Sequence, residues 1–274
     1  MTSVQELEVT VTSHIDVCAV RYEAIHARLK RLEQLMLKIG GAIILILLGA
    51  LDSMGLLLLE ALQKCRVFRG LRPAHLGELV ALATPVQYAK GAFIFSDGDP
   101  AEYFYIAQQG LIKLHKGSPS GKNVTFIIAT LGDTLNAAAL SVKRHFLSAQ
   151  AMTEATVLRI PRKEFWAFEA KHPGIAVNIT ALTAEGLDIE YNRIVDLIGE
   201  EVELRVAHSL FALANKFGSN LLLKREELAN YAGTTTETAI RVLSKLRKKG
   251  IISCSAGRGT IVISDLTKLQ NYRR

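Results

Sequence analysis

Cysteine is scarce and scattered in this chain of 274 residues: Cys18, Cys65 and Cys254 stand far apart, and no Cys-x-x-Cys pair occurs. That excludes a disulfide framework, a zinc finger and a four-cysteine iron–sulfur site. His-x-His is also missing, so the paired imidazoles of a cupin-type metal enzyme are not available. No Ser/His/Asp or Cys/His set falls into a recognisable catalytic motif, and the sequence gives no ground for an enzyme. Nor is a secretory leader predicted, because the one long apolar block begins late and no small-residue cleavage site follows it. Aromatic residues make up only 7%, yet 49% of the chain is hydrophobic, which suits a packed core and excludes a wholly disordered chain.

What the chain does have is a charge imbalance at one end. The net charge is +7, and Glu200 to Arg274 carries 13 Lys/Arg against 7 Asp/Glu, whereas Met1 to Ser53 carries 5 against 6. A basic excess held in one module suggests a polyanionic partner, either nucleic acid or an anionic membrane surface. A merely soluble basic face would give the same count. At about 100–200 residues per domain, the length fits two domains with an appendage.

Arg21 to Lys38 reads as an amphipathic helix, with Ile25, Leu29, Leu32 and Leu35 three and four residues apart. IGGAIILILLGAL, Ile39 to Leu51, follows directly, and the apolar stretch 39–59 is long enough to span a bilayer. Asp52 inside it is a penalty. Arg28, Lys30, Arg31 and Lys38 would also lie on the wrong side if the C-terminal module faces DNA in the cytoplasm, although Lys64, Arg66, Arg69 and Arg72 pull the other way. Three readings stand for residues 1–53: a membrane span, a soluble packing helix, or an extension dispensable to a protein that starts at Met54.

From Leu82 the pattern changes to short strands broken by glycine. YAKGAFIFSDGD, YFYIAQQGLIKLHK, KNVTFIIATLGD and ATVLRIPRKEF each read as one or two strands with a turn, and Gly91, Gly98, Gly110, Gly121 and Gly132 fall at turn positions. This spacing predicts a small antiparallel barrel or sandwich. The run KGxxIFxxGDxxxYxYIxxxGxIKL, then LGD and VLRIPRxxF, resembles the effector-binding β-roll of the Crp–Fnr transcription regulator family. LLEALQKCRVFRGL, Leu58 to Leu71, is similar to that family's opening helix and loop. The resemblance covers about Gly55 to Ile263 and implies an α+β fold. Its parts are an N-terminal hydrophobic helical extension (1–53), a jelly-roll-like antiparallel β-roll (54–172), a dimerisation helix with hinge (173–199) and a C-terminal winged helix-turn-helix (200–274).

The sequence departs from the cyclic-AMP receptor at the phosphate cassette. Counted from LGD and VLRI, the receptor's Gly-Glu position holds Asn136-Ala137 and its Arg-Ser position holds His145-Phe146. On the dimer helix, the hydroxyl pair that meets adenine is replaced by Glu190-Tyr191. Without the arginine a cyclic phosphate loses its bidentate anchor, so the effector expected in the roll is not cyclic AMP. Its identity stays open between a small organic or anionic ligand and haem, with His145 or His115 as axial ligand and Cys65 as another soft ligand. Cys65, next to Lys64 and Arg66, and Cys254 are candidates for a thiol switch. Lone histidines and cysteines are equally ordinary structural residues.

Pro173 opens a helix, as proline in a first turn should. Ile179, Leu182, Leu187, Ile189 and Ile194 recur along it as the expected dimer seam, with packing on the roll as the alternative. Gly199, before Glu200-Glu201, is the expected hinge. Val202–Lys216 and Lys224–Tyr231 read as helices, Ala232-Gly233 as a tight turn, and Thr235–Lys249 as a second helix. IISCSAGRGTIVI then reads as a two-stranded wing with Arg258 at its tip, completing a winged helix-turn-helix.

The family resemblance implies that Thr236, Glu237, Ile240 and Arg241 read bases. Arg241 is able to donate a bidentate pair to guanine and Glu237 to accept from cytosine N4. Thr234, Thr235, Lys245, Lys248 and Arg258 are the expected phosphate contacts. Thr234-x-x-Glu237 also fits a capping box, a competing use of Glu237. The expectation is a homodimeric, cytoplasmic transcription regulator that reads an inverted repeat in double-stranded DNA, with RNA polymerase a further partner for an activator. The alternative is a membrane-anchored sensor or interaction protein built around residues 39–59.

Overall fold

The structure is a computed structural model that describes residues 30, 55–119, 121–135, 137–254 and 259–272. Met1–Leu56 and Leu57–Arg274 form separate units. The expected helix from Arg21 to Lys38 (residue 30 apart, which is helical) and the apolar block up to residue 54 lie outside the described residues. Among the described residues, no helix is long and apolar enough to cross a membrane.

Helix α1 (residues 55–64) is followed by a short 3-10 turn (Arg66–Phe68) and helix α2 (Pro73–Leu82), which proline starts at its first turn. Seven strands follow: β1 (Thr84–Tyr88), β2 (Phe93–Phe95), β3 (Tyr103–Gln109), β4 (Ile112–Gly117), β5 (Asn123–Ala129), β6 (Ser148–Ala151) and β7 (Ala155–Pro161). A short helix α3 (Ala139–Val142) interrupts them. They form two antiparallel sheets, ordered β1-β7-β3 and β2-β6-β4-β5.

Alternation along the strands divides the side chains between two cores. Tyr105 and Ala107 of β3 join Phe95, Ile112, Leu114, Ala149 and Val157 in one cluster. Their neighbours Phe104 and Ile106 turn the other way and pack with Leu62, Phe68, Leu158, Ile160 and Phe165. There Phe104 stacks on Phe165 with ring centroids 4.0 Å apart. Phe165 belongs to helix α4 (Arg162–Lys171), so the helices cover the β1-β7-β3 sheet.

All five glycines expected at turns have positive φ. At Gly110 (φ +84°) glycine is required twice over, because a Cβ there would also stand 2.3 Å from the Glu154 carbonyl oxygen. Strands β1 and β6 were not evident in the sequence, since TPVQY carries a proline and SAQA lacks β-branched and aromatic residues.

Helix α5 (Gly174–Gly199) leads to α6 (Val202–Phe217) through extended residues Glu200 and Glu201. The C-terminal module continues with β8 (Asn220–Leu222), α7 (Arg225–Ala232), α8 (Thr236–Lys248), β9 (Ile252–Cys254), β10 (Thr260–Ile263) and α9 (Leu266–Gln270). Its sheet has three strands, ordered β8-β10-β9, one more than the wing expected from sequence. Val206, Leu210, Leu228, Leu243, Leu246 and Ile261 build its core, which also takes in Ile128 from β5 of the roll.

Gly110→Ala is expected to lower stability by about 2 kcal/mol or more, from positive-φ strain plus the clash with Glu154. A urea titration should show the loss as a lower midpoint at unchanged slope.

Candidate nucleic-acid interface and effector pocket

Helix α8 is amphipathic with a well-divided surface. Ala239, Val242, Leu243 and Leu246 are buried, while Thr236, Glu237, Ile240, Arg241, Lys245 and Lys248 are exposed. The four expected base-reading residues therefore share one open face at the start of the helix. Gly233 makes the preceding turn with φ +64°, and a Cβ on it would lie 2.8 Å from Leu197 of α5. The left-handed conformation of the turn favours glycine, and a Cβ there would also require the Leu197 side chain to shift.

The capping arrangement differs from the expected box by one residue. Thr235 is the N-cap, and its hydroxyl accepts a hydrogen bond from the Thr238 amide at 3.2 Å. Glu237 is thus displaced from the reciprocal capping position, and among the described residues it has no hydrogen-bond or ion-pair partner. Arg241 leans on the Thr238 hydroxyl at 3.3 Å. Of the expected phosphate contacts, Thr235 is occupied as the cap. Lys245 donates to Glu203, which also accepts from the Tyr272 hydroxyl at 2.6 Å. Those two bonds, Lys245 first, hold the Glu203 carboxyl below its ordinary range. Thr234 is half-buried, Lys248 is exposed, and Arg258 lies outside the described residues.

The expected dimer seam mixes two faces of α5. Ile179 and Leu182 pack against the core between roll and helices, whereas Leu187, Ile189 and Ile194 are exposed. The exposed apolar line runs Val177, Leu187, Tyr191, Ile194 and Ile198, and Thr180 and Ala184 complete alternating steps of three and four. That is heptad spacing on one face, with Ile198 84% exposed. Ile189 stands off this line. Ile179 and Leu182, near the start of α5, pack instead against the cluster that holds the short turn and the helices under the roll.

Of the expected effector-pocket residues, Asn136 lies outside the described residues. Ala137 packs at the edge of the core beneath α1 and α2, and Phe146 is exposed. His145 is buried with its ring flat against Phe95, centroids 3.6 Å apart and planes 10° from parallel, and Tyr105 beside it at 5.9 Å. Neither ring nitrogen has a hydrogen-bond partner, and burial pushes its pKa below the ordinary value. Burial inside the roll favours the neutral ring. Glu190 and Tyr191 do not join it: Glu190 pairs with Arg193 at 2.9 Å, and Tyr191 lies on the exposed line of α5.

The haem candidates fare no better. Cys65 is 1% exposed, and burial pushes its thiol up to about 12, which keeps it a neutral thiol, poor both as a ligand and as a redox switch. His145 has one face closed by Phe95. His115 sits elsewhere, 6.0 Å from Phe93 and near Lys113 and Glu227. Among the described residues no three His, Cys, Asp or Glu side chains cluster as metal ligands. These surroundings do not fit a porphyrin.

A roll with a buried cassette position, joined by a long helix to a winged helix-turn-helix, defines a DNA-binding transcription regulator. Family comparison agrees: the cyclic nucleotide-binding domain model matches residues 85–172 and the Crp-like helix-turn-helix domain model matches residues 204–272. The CRP-like cAMP-activated global transcriptional regulator of Mycobacterium tuberculosis is 26% identical over 224 residues, which span 78% of this chain and 99% of its own. The nitrogen fixation regulation protein FixK of Bradyrhizobium diazoefficiens is 29% identical over 205 residues, 72% of this chain and 86% of its own. The solved structure of FixK2 from Bradyrhizobium japonicum is similar with a TM-score of 0.64 at 26% identity, covering 70% of this chain and 98% of that one. The chain belongs to the Crp–Fnr family of transcription regulators.

His115, lowered by burial and then by the Lys113 ammonium, and His145, lowered by burial, both bind protons less readily folded than unfolded. Their contribution is fully present above the unfolded pKa of about 6.5 and is lost as pH falls toward the depressed folded values. Urea midpoints should therefore fall progressively below about pH 6.5, and His145→Phe should make that fall shallower.

Proposed function

We propose that two copies of this chain pair along the Val177–Ile198 line of α5 and set two α8 helices on an inverted repeat. Half-site centres then lie one helical turn apart, about 34–36 Å. Residues 54–172 form the effector domain, 173–199 the dimer helix and hinge, and 200–274 the reading module. Glu237 and Arg241 read a G·C pair, Thr236 and Ile240 touch neighbouring base edges, and Thr234, Lys248 and Arg258 contact phosphates. When the regulator activates, RNA polymerase is its further partner.

The observation that carries this reading is the open face of α8, with Glu237 released from capping and Arg241 one turn on. The effector is a ligand other than cyclic AMP. Where a phosphate-binding arginine would stand, the chain has a buried neutral imidazole stacked on Phe95. A cyclic phosphate brought there would be desolvated without a compensating cation.

A duplex selected from a random-sequence pool by the full chain provides the test. Arg241→Ala should weaken binding to it about 10- to 100-fold and relax preference at one G·C pair, reflecting about 1–3 kcal/mol of base discrimination. Unchanged preference would remove Arg241 from the reading set. Lys248→Ala should weaken all sequences alike and lower the slope of log affinity against log salt by about one. Cyclic AMP should leave the affinity unaltered.

In sedimentation, Leu187→Glu together with Ile194→Glu should give a monomer. A dimer that survives both changes would place the seam elsewhere.

A further inference from the structure

The helix-turn-helix module is fastened to the roll of its own chain at a junction centred on Arg193. The Arg193 guanidinium donates from Nη1 to the Phe126 carbonyl (3.1 Å) and from Nη2 to the carbonyls of Thr125 (3.0 Å) and Tyr231 (2.7 Å). Its Nη1 also lies within hydrogen-bond reach of both Glu190 carboxylate oxygens, and the guanidinium sits over the Tyr231 ring, 4.6 Å from its centroid. One side chain of the dimer helix thus joins the roll to the first helix of the helix-turn-helix.

The local backbone explains how one fork reaches two successive carbonyls on β5. Neighbouring carbonyls along a regular strand point to opposite sides. Here the register between β4 and β5 slips: Leu114 faces Ile127 and His115 faces Thr125, so Phe126 is an extra, bulged residue. A bulge re-aims the chain. It also lies on the edge strand of its sheet, where outward carbonyls have no neighbouring strand to pair with.

Two ion pairs flank the junction. Lys113 of β4, almost fully buried, pairs with Glu227 of α7 at 3.0 Å, and Lys216 of α6 pairs with Asp133 at 2.8 Å. Between them Ile128 is sealed into the core of the reading module. The docked face includes the foot of the wing. Lys90, Gln150 and Met152 of the roll share a cleft of about 290 Å³ with Lys224, before α7, and Gly259, before β10. In a helix-turn-helix the first helix crosses the DNA backbone, so this docking turns part of the phosphate-facing border toward the roll.

We propose that Arg193 is an autoinhibitory latch, holding the reading module against its own roll in a resting orientation that must be released for tight DNA binding. The proposal rests on the reading of α8 as the base-contacting helix. Release is a rotation about Glu200–Glu201, the extended residues between α5 and α6. The latch does not compete with dimerisation. At 100° per residue, Glu190 and Leu197 lie roughly a quarter-turn, and Arg193 more than a third of a turn, around α5 from the Val177–Ile198 line.

The test uses the full chain with Arg193→Ala and Arg193→Lys, and the duplex selected by the wild-type protein. Both variants should bind that duplex at least about tenfold more tightly, because a resting population no longer has to be overcome. Lysine should not rescue the latch, since a point charge does not satisfy three carbonyls and a carboxylate from one plane. Amide hydrogen exchange over 124–128 and 230–234 should quicken in both, with sedimentation unchanged.

Affinity that is unaltered or reduced, with a folded dimer, would overturn the inhibitory role. Wild-type rates at those amides would overturn the latch itself. If the wild-type chain selects no duplex, the DNA reading fails, and the junction is judged by exchange alone.

Discussion

Along the first part of β4 and at the end of β5 the β2-β6-β4-β5 sheet is buried on both faces, and the arrangement of the second unit follows from that. Ile112 and Leu114 of β4 fill the roll. On β5, Ile128 is part of the core of the C-terminal module, with Leu111 and Met152 packed against it. An antiparallel sheet commonly keeps one face for water. This one gives its second face to another domain, so its outward charges need partners there. Lys113 finds Glu227 for that reason, since a buried ammonium without a carboxylate would cost several kcal/mol. The two modules share apolar surface as well as a linker.

The sequence was most readable where a residue type has few conformations open to it. Glycines at the five turns announced positive φ, and the Ala232-Gly233 turn between two periodic segments announced the helix-turn-helix. It was less readable where an outcome depends on competition between neighbours. Three threonines in a row, Thr234 to Thr236, leave the cap undecided by one residue, and the choice of Thr235 fixes what Glu237 is free to do. On α5, apolar spacing alone did not separate residues taken by the roll from those left outward, because both sets repeat every three or four positions. The Arg193 junction could not be read at all. It depends on a bulge at Phe126 and on main-chain carbonyls, which carry no side-chain signature.

The roll illustrates a different limit. Residue substitutions at the cassette told against cyclic phosphate, and the structure adds what the replacement does. His145 is part of an aromatic stack with Phe95, and its nitrogens pay a desolvation penalty with no hydrogen bond in return. An imidazole in that position is held by packing, at the expense of its polar atoms. A ligand that supplied one donor or acceptor would meet a site already short of it. The same buried position that carried the phosphate contact in the resembled receptor is here a polar deficit inside a full core.

The one-residue shift of the α8 cap also separates two tasks that a capping box would have joined. The cap is made by the Thr235 hydroxyl and the Thr238 amide, while Glu237 has no partner among the described residues and Arg241 reaches only the Thr238 hydroxyl. On the proposed reading of α8, substitutions at those two positions are filtered by the operator and far less by folding. A lineage of such regulators is able to drift from one binding site to another through sequences that all remain folded. Duplicated copies would then be expected to part company first at residues 237 and 241, long before their cores diverge.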